Sequence, residues 1–561
     1  MTSPFRDTSP VPRSGGAILA DALIAQGAGM VFCVPGESYL PFLDAAADRR
    51  AALRVITCRH EGAAAYMAEA YGKLTGRPGV CFVTRGPGAC HAAVGVHTAQ
   101  QDSTPMVLLV GQVERPFRTR EAFQEIEYRR MFAPLAKWVA EVDDPARLPE
   151  YVARAFAAAV GGRPGPVVLA VPEDMLAEVA VVRDVGPRPL ALAYPGAMDM
   201  ARLRLLLSAA QRPLAIVGGG GWNVQACGDL KTFLEANAVP AAASFRCQDI
   251  VDNDSPAYAG ELGTSVSPQL ARRVREADLL LVLGARLGEM TTQGYTLVEA
   301  PEPRQSLVHV YPAGEELGRV YHPALGIVAA MPAMAAALRD MEPIPTPPWR
   351  GWCEAARAEY EANQMPGPCP GDLDMSEVMR VIRERLPVDA IVCNGAGNYT
   401  GWVQRFYRYR RFRTQLGPAN GSMGYGVPAA LAAKALYPER TVVAFAGDGC
   451  FLMTGQELAT AVLHDLAPII LVVNNNMYGT IRMHQERHYP GRAMATDLAN
   501  PDFAAFARSF GAHAEVVERT TEFAPAFDRA LAAGRVALLE LRIDPEAIST
   551  RTTLSAIRGG P

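Results

Sequence analysis

Asp448 and Asn475 stand 27 residues apart, each just beyond a short apolar run. Residues 441–446 lead into Gly447-Asp448-Gly449, and residues 469–473 lead into Asn474-Asn475-Asn476. A carboxylate and an amide oxygen are hard ligands, suited to a magnesium ion that keeps diphosphate oxygens and water as its remaining ligands. Gly447 and Gly449 let a phosphate come close to the backbone. A third residue with chemical potential is Glu61, in Arg59-His60-Glu61-Gly62, between the apolar run 53–58 and the helix-forming stretch 63–74. It is either a helix-start carboxylate favoured by the macrodipole or an acid-base group at a strand end, where α/β sheets bind ligands.

These residues need particular elements to bring them together. Residues 441–446, apolar and partly β-branched, read as a buried parallel strand. Thr454-Gly-Gln-Glu457 fits a capping box, residues 458–463 continue as a helix that Pro468 ends, and residues 469–473 form the next strand. The unit is β-α-β with a right-handed crossover, so Asp448 and Asn475 are expected at one carboxyl edge.

Similar alternation runs along the whole chain of 561 residues and predicts an α/β protein of three consecutive domains with central parallel sheets, at 14–185, 198–340 and 366–545. Pro187, Pro189 and Pro195 mark the first boundary, and the proline-rich stretches 343–349 and 366–370 mark the second.

Composition excludes several classes. Hydrophobic residues make up 49% and charged residues 20%, as in ordinary globular proteins. With 54 Lys and Arg against 58 Asp and Glu, net −4, the chain offers no field for nucleic acid or an anionic membrane. The one basic cluster, 405–413, interleaves Phe406, Tyr407, Tyr409 and Phe412 and reads as a solvated or subunit-contact face. Ten Cys without a Cys-x-x-Cys pair read as reduced core thiols. Residues 1–13 carry no apolar signal core and no run reaches membrane-spanning length, so a cytoplasmic protein is expected.

The Gly447-to-Asn476 segment resembles the cofactor-anchoring motif of thiamine diphosphate enzymes. The resemblance implies that Asp448, Asn475 and the carbonyl of Met477 hold magnesium, with Gly447 and Gly449 beside the diphosphate. Arg59 through Gly72, Val83-Thr-Arg-Gly-Pro-Gly88, Asp102-Ser-Thr-Pro105, Gly111-Gln112, Phe123-Gln124-Glu125, Gly421-Ser-Met-Gly424 and Asn500-Pro-Asp-Phe503 resemble acetohydroxyacid synthases and their relatives. In that family a glutamate, here Glu61, faces the N1′ nitrogen of the cofactor and promotes loss of its C2 proton; the protein supplies orientation and electrostatics. The carbonyl of Gly421 would accept from the 4′ amino group and Met423 would wedge the cofactor. Gly395, Gly397 and Asn398 would form the second diphosphate-binding turn. Gln124 and Lys137 would support the substrate side. The family builds its site between two subunits, so a homodimer at least is implied, with a dimer of dimers expected.

Several positions depart from the synthases. His484 stands where they carry Trp, Met290 where they carry Arg, and Tyr399 where they usually carry His. Glu37, in Pro35-Gly36-Glu37-Ser38, replaces a Gly; it either relays a proton or is a loop carboxylate. His91 either hydrogen-bonds substrate or caps a helix start. The glycine-rich turn 218–221 lacks a full dinucleotide fingerprint. The matching region binds FAD in the synthases, where an Arg matching Arg286 helps hold it, whereas flavin-free relatives keep similar turns, so FAD stays open. The expected activity is decarboxylation of a 2-oxo acid with transfer of the resulting enamine to an aldehyde or second 2-oxo acid. The alternatives are a simple 2-oxo acid decarboxylase, an aldehyde lyase or ligase, or a non-catalytic thiamine-binding subunit, against which the joint presence of Glu61, Asp448 and Asn475 argues.

Overall fold

The computed structural model describes residues 11–559; most of the leader reading, residues 1–10, lies outside them. Three six-stranded sheets organise the chain, and within each sheet all neighbouring strands are parallel. The protein therefore consists of three α/β domains. By contacts it divides into two compact units, with the boundary between Ala191 and Leu192.

The first sheet runs, in spatial order, Arg54–Thr57, Met30–Cys33, Gly79–Val83, Met106–Gln112, Pro166–Pro172, Trp138–Glu141. The last runs Gln415–Leu416, Ile391–Asn394, Val442–Gly447, Ile469–Asn474, Ala537–Arg542, His513–Val517. Numbered along the chain, both have the order 2-1-3-4-6-5. Strand order reverses beside the first strand, and the crevice there, at the carboxyl edge, is where such sheets bind ligands. In the last sheet the loops at that point begin at Gly395 and Asp448; in the first they carry Glu37 and Gly86. The middle sheet, Tyr258–Glu261, Ala241–Ala243, Pro213–Val217, Leu279–Leu283, Ser306–Tyr311, Leu325–Val328, has the order 3-2-1-4-5-6. Its reversal lies between the turns at Gly218 and Gly284.

These strands form because their side chains are apolar on both faces. Every residue of Gly79–Val83, Met106–Gln112, Pro213–Val217, Leu279–Leu283 and Ile469–Asn474 is buried. Each fully buried Val, Leu or Phe contributes about 1.5–3 kcal/mol. The middle and last sheets belong to one unit, joined by buried polar contacts. The Gln248 N–H donates to Gln415 Oε1 at 2.7 Å, and Asp249 Oδ2 accepts from the backbone of Thr414 and Gln415 at 3.0 and 3.2 Å.

Three expectations need correcting. The capping box at Thr454 does not form: its hydroxyl donates to the carbonyl of Gly424 at 2.7 Å, while Glu457 Oε2 accepts from Thr460 at 2.5 Å. The basic cluster is internal in large part. Phe406, Tyr407 and Tyr409 are buried, Arg405 donates to the carbonyls of Asn363 and Thr550 at 2.7 Å, and Arg408 pairs with Asp254 and Glu361. Of the ten free thiols, Cys90 is exposed and Cys227, Cys247 and Cys369 are only partly covered. Among the described residues no helix is long and apolar enough to cross a membrane.

Candidate active site

The strands Val442–Gly447 and Ile469–Asn474 pair in parallel with Gly447 opposite Val473, so Asp448 and Asn475 leave neighbouring strands at the same edge. Asp448 is the first residue of a short helix, Asp448–Phe451, and is 3% exposed. Its Oδ1 accepts from the Gly449 N–H at 2.9 Å and its Oδ2 from Asn500 Nδ2 at 2.8 Å. The same amide nitrogen reaches Asn474 Oδ1 at 3.1 Å and Asn476 Oδ1 at 3.2 Å. Asn475 Oδ1 accepts from the Met477 N–H at 3.3 Å, and the Met477 carbonyl accepts from the Gly479 N–H at 2.9 Å.

Burial raises the Asp448 carboxyl above its ordinary value; the Asn500 amide and backbone N–H groups counter this only in part. The leading influences on it include no cationic side chain. A buried carboxylate held by amides, next to an asparagine oxygen, is a donor set that a hard divalent cation fits, since the cation supplies the missing positive charge.

The loops around this edge are tied to one another. Cys450 Sγ accepts from the Gly424 N–H at 3.1 Å, and the Thr454 hydroxyl holds the Gly424 carbonyl, so the Gly421–Met423 turn is anchored to the Asp448 segment. Gly421 has φ 69° and Met423 is half-buried. Asn398 Oδ1 accepts from the Thr480 hydroxyl at 2.8 Å and its amide nitrogen faces Met483 Sδ at 3.6 Å. This fastens the Gly395–Gly397 turn to the helix Gly479–His488. The buried Tyr399 ring fills the space beside that turn: a side-chain carbon on Gly395 would lie 2.6 Å from its hydroxyl, and one on Gly397 2.7 Å from its ring. His484 is exposed on the same helix, parallel to His488 with ring centroids 6.4 Å apart, and burial lowers its pKa, assisted by Arg487 and His488.

In the unit ending at Ala191, Glu61 is the first residue of the helix Glu61–Thr75, capped by His60, whose Nδ1 accepts from the Gly62 N–H at 3.0 Å. Glu61 Oε2 lies 2.8 Å from His91 Nδ1, and the rings of His60 and His91 stack at 4.5 Å. Glu37 is exposed on the loop after Met30–Cys33; its neighbour Ser38 meets Thr84, which follows Gly79–Val83, with the two hydroxyl oxygens 3.0 Å apart. The Gln124 carbonyl accepts from the Gly86 N–H at 3.0 Å, which brings this residue to the same carboxyl edge as Glu61 and Glu37.

Lys137 does not join them. It precedes Trp138–Glu141, at the amino edge of the sheet, and its ammonium donates to the carbonyls of Ala158 and Gly161 at 2.5 and 2.6 Å, closing the end of the helix Leu148–Val160. Its role is to cap those carbonyls, since the strand length separates it from the Glu61 edge.

Two contacts escape sequence reasoning. Asn500 stands out in the sequence only as part of a motif, yet its amide links Asp448 to Asn474 and Asn476. The His91–Glu61 bond depends on the approach of two helices, which no spacing rule gives. In the middle domain, a side-chain carbon on Gly219 would lie 2.0 Å from the Gly284 carbonyl, so that glycine is required by packing between the two turns. Trp222 Nε1 donates to the Gly218 carbonyl at 2.8 Å, and Arg286 faces Glu316 at 3.5 Å.

Comparison with known proteins identifies all three domains. Residues 13–131 match the thiamine pyrophosphate enzyme N-terminal TPP binding domain, 200–338 the central domain and 395–541 the C-terminal TPP binding domain. The chain is 34% identical over 522 residues to the acetolactate synthase large subunit of Parasynechococcus marenigrum (strain WH8102), covering 90% of this chain and 83% of that one. It is 32% identical over 537 residues to the acetolactate synthase isozyme 2 large subunit of Escherichia coli (strain K12), covering 95% and 96%. With the acetolactate synthase large subunit of Corynebacterium glutamicum the identity is 30% over 549 residues, covering 94% and 86%. The chain belongs to the thiamine pyrophosphate-dependent enzymes, among the relatives of acetolactate synthase large subunits.

Proposed function

We propose that this enzyme is a magnesium-dependent carboligase that decarboxylates a 2-oxo acid and joins the remaining acyl unit to a second carbonyl, with a homodimer or dimer of dimers as the working assembly. The observation that carries the reading is Asp448: a nearly fully buried carboxylate, held by amides, beside Asn475 at the edge of adjacent parallel strands. Thiamine diphosphate, when bound, supplies the nucleophilic carbon and the electron sink that decarboxylation needs.

The chain's own residues do the rest. Asp448, Asn475 and the Met477 carbonyl would hold the metal. Gly395, Gly397, Asn398, Gly447 and Gly449 would present donors and close backbone to the phosphates, and Gly421 and Met423 would orient the rings. Glu61 would hold or release a proton at the cofactor's N1′ nitrogen, and Glu37 and Gln124, at the same sheet edge as Glu61, would face the reacting carbons. The family's two-subunit arrangement supports Glu61 of one copy acting on cofactor held by another.

In the middle domain packing accounts for Gly219 without a ligand, whereas the buried Arg286 Nε makes no hydrogen bond and has Glu316 only at 3.5 Å, so FAD remains a candidate for this domain. A second reading, decarboxylation to an aldehyde, draws on the exposed carboxylate of Glu37 and on His484 and Met290 in place of the synthases' Trp and Arg. Incubation with thiamine diphosphate, magnesium and pyruvate, followed by product analysis, separates the two: acetolactate supports carboligation, and acetaldehyde without acetolactate overturns it.

A further inference from the structure

We propose that His91 is a positioning residue for Glu61, holding one carboxylate oxygen so that the other is presented to the cofactor. The inference rests on the reading of Glu61 above and adds to it a second residue that sets its geometry.

His91 lies on the helix Gly86–Asp102, which packs unusually close to Glu61–Thr75. A side-chain carbon on Gly95 would fall 2.3 Å from Ala65 Cβ, so only glycine facing alanine lets the helices meet at this distance. The approach brings His91 Nδ1 to 2.8 Å from Glu61 Oε2. Glu61 Oε1 is spared: it lies 3.6 Å from the point where a side chain on residue 88 would begin, and Gly88 leaves that space clear. The two oxygens of one carboxylate thus have different surroundings.

The ring that makes the contact is itself fixed. His60 Nδ1 accepts from the Gly62 N–H, so a neutral His60 carries its proton on Nε2. Burial, and then the neighbouring His91, push His60 below its ordinary value, with Glu61 acting the other way, which favours the neutral ring. His91 stacks on that ring at 28° between planes, which restricts its rotation about χ2 and aims Nδ1 at the carboxylate. His91 donates through Nδ1–H in its imidazolium form and in one neutral tautomer alike. Catalytic groups need their geometry held within about 0.5 Å and 10–20°. Glu61, half-buried at the start of a helix with its side chain 14% accessible, has among the described residues no other side chain hydrogen-bonded to it that would do so.

His60, Glu61 and His91 also bring three metal-ligating atoms within 4.8 Å of one another. A metal taking Nδ1 of both rings would displace the Gly62 cap and the Nδ1–H···Oε2 bond, and the proposed arrangement is the hydrogen-bonded one.

The test compares wild type, His91→Ala and His91→Asn in three measurements. The first is ¹⁵N spectra of the histidine rings in the apoprotein. The second is thiamine diphosphate affinity in the presence of magnesium. The third is the rate at which the bound cofactor exchanges its C2 proton with deuterium, without any substrate. The proposal expects His91 to be protonated on Nδ1 in the apoprotein. It expects C2 exchange to slow by about 10–100-fold in His91→Ala, the range seen when an outer partner of an active group is removed, with affinity unchanged. His91→Asn, whose amide reaches the place of Nδ1, should recover most of the rate. A His91→Ala protein exchanging at the wild-type rate, or a His91 ring protonated only on Nε2, would overturn the role of His91 alone. A wild-type protein leaving C2 exchange at the rate of free cofactor would overturn the reading of Glu61 as well. Stoichiometric zinc shifting the His60 and His91 resonances together would replace positioning by a metal site.

Discussion

Asn500 Nδ2 donates to Asp448 Oδ2 at 2.8 Å from a loop 52 residues further along the chain, and the same nitrogen reaches Asn474 and Asn476. One amide therefore ties the carboxylate after one strand to the asparagine run after the next. On the proposed function Asn500 orients the edge that would hold magnesium, and outer partners of this kind are worth about 10–100-fold in metal affinity. Asn500→Ala should weaken magnesium-dependent cofactor binding by that factor while the far-ultraviolet circular dichroism stays native. Wild-type affinity in a calorimetric titration would remove Asn500 from the site.

Asp448 carries an electrostatic cost in the metal-free protein. Burial raises its carboxyl in the folded state, so the ionised form destabilises the fold once pH rises through the folded-state value, and below the ordinary unfolded value the cost is absent. A bound cation offsets it. Asp448→Asn should leave the metal-free unfolding temperature at neutral pH equal to or above wild type, and should abolish the rise that magnesium with thiamine diphosphate produces. A ligand-induced rise as large as wild type in this variant would contradict the assignment.

Glu261 gives a pH dependence to the unit that begins at Leu192. Burial pushes its carboxyl up to about 8 from 4.5, and the nearby Arg246 backbone N–H and charge act against this. The folded-state value is raised, so its stabilisation is complete below about 4.5 and is lost progressively as pH rises to about 8. The slope is about 1.4 kcal/mol per pH unit at most. Glu261→Gln should gain stability relative to wild type across that window in denaturant titrations and match it in acid. Parallel pH profiles for the two proteins would show that Glu261 ionises freely.

Gly219 has φ 71° and no room for a side-chain carbon against the Gly284 carbonyl. Gly219→Ala should therefore destabilise the middle domain by at least ~1 kcal/mol. Packing against Gly284 requires this glycine with or without a bound dinucleotide, so the flavin is tested separately: a yellow preparation that releases flavin on denaturation would assign FAD to the middle domain, and a colourless one would leave the domain without it.

The legible parts of the site are those that local pattern controls. Asp448 and Asn475 end apolar runs, and a buried parallel strand followed by a polar residue puts that residue at the sheet edge whatever surrounds it. The three α/β domains follow from the same alternation. Asn500 was less readable because an asparagine in an irregular loop has no period, and only the fold shows which carboxylate it meets. Lys137 shows the limit of resemblance: a matching motif implied a place beside the substrate, whereas its position directly before a parallel strand puts it at the amino edge, away from Glu61. Thr454 fits a capping pattern, but a tertiary acceptor, the Gly424 carbonyl, competes for its hydroxyl. The His91–Glu61 contact needs the Gly95–Ala65 approach, a property of two packed helices and of neither sequence alone.

The central claim, that Glu61 acts on a cofactor anchored by Asp448 and Asn475, is tested most directly by carbon dioxide release from pyruvate in wild type and Glu61→Gln, each saturated with thiamine diphosphate and magnesium. Removal of a positioned acid-base group costs about 10²–10⁴-fold, so the account predicts that Glu61→Gln binds cofactor normally and releases carbon dioxide at least about a hundredfold more slowly. Release at the wild-type rate would contradict it.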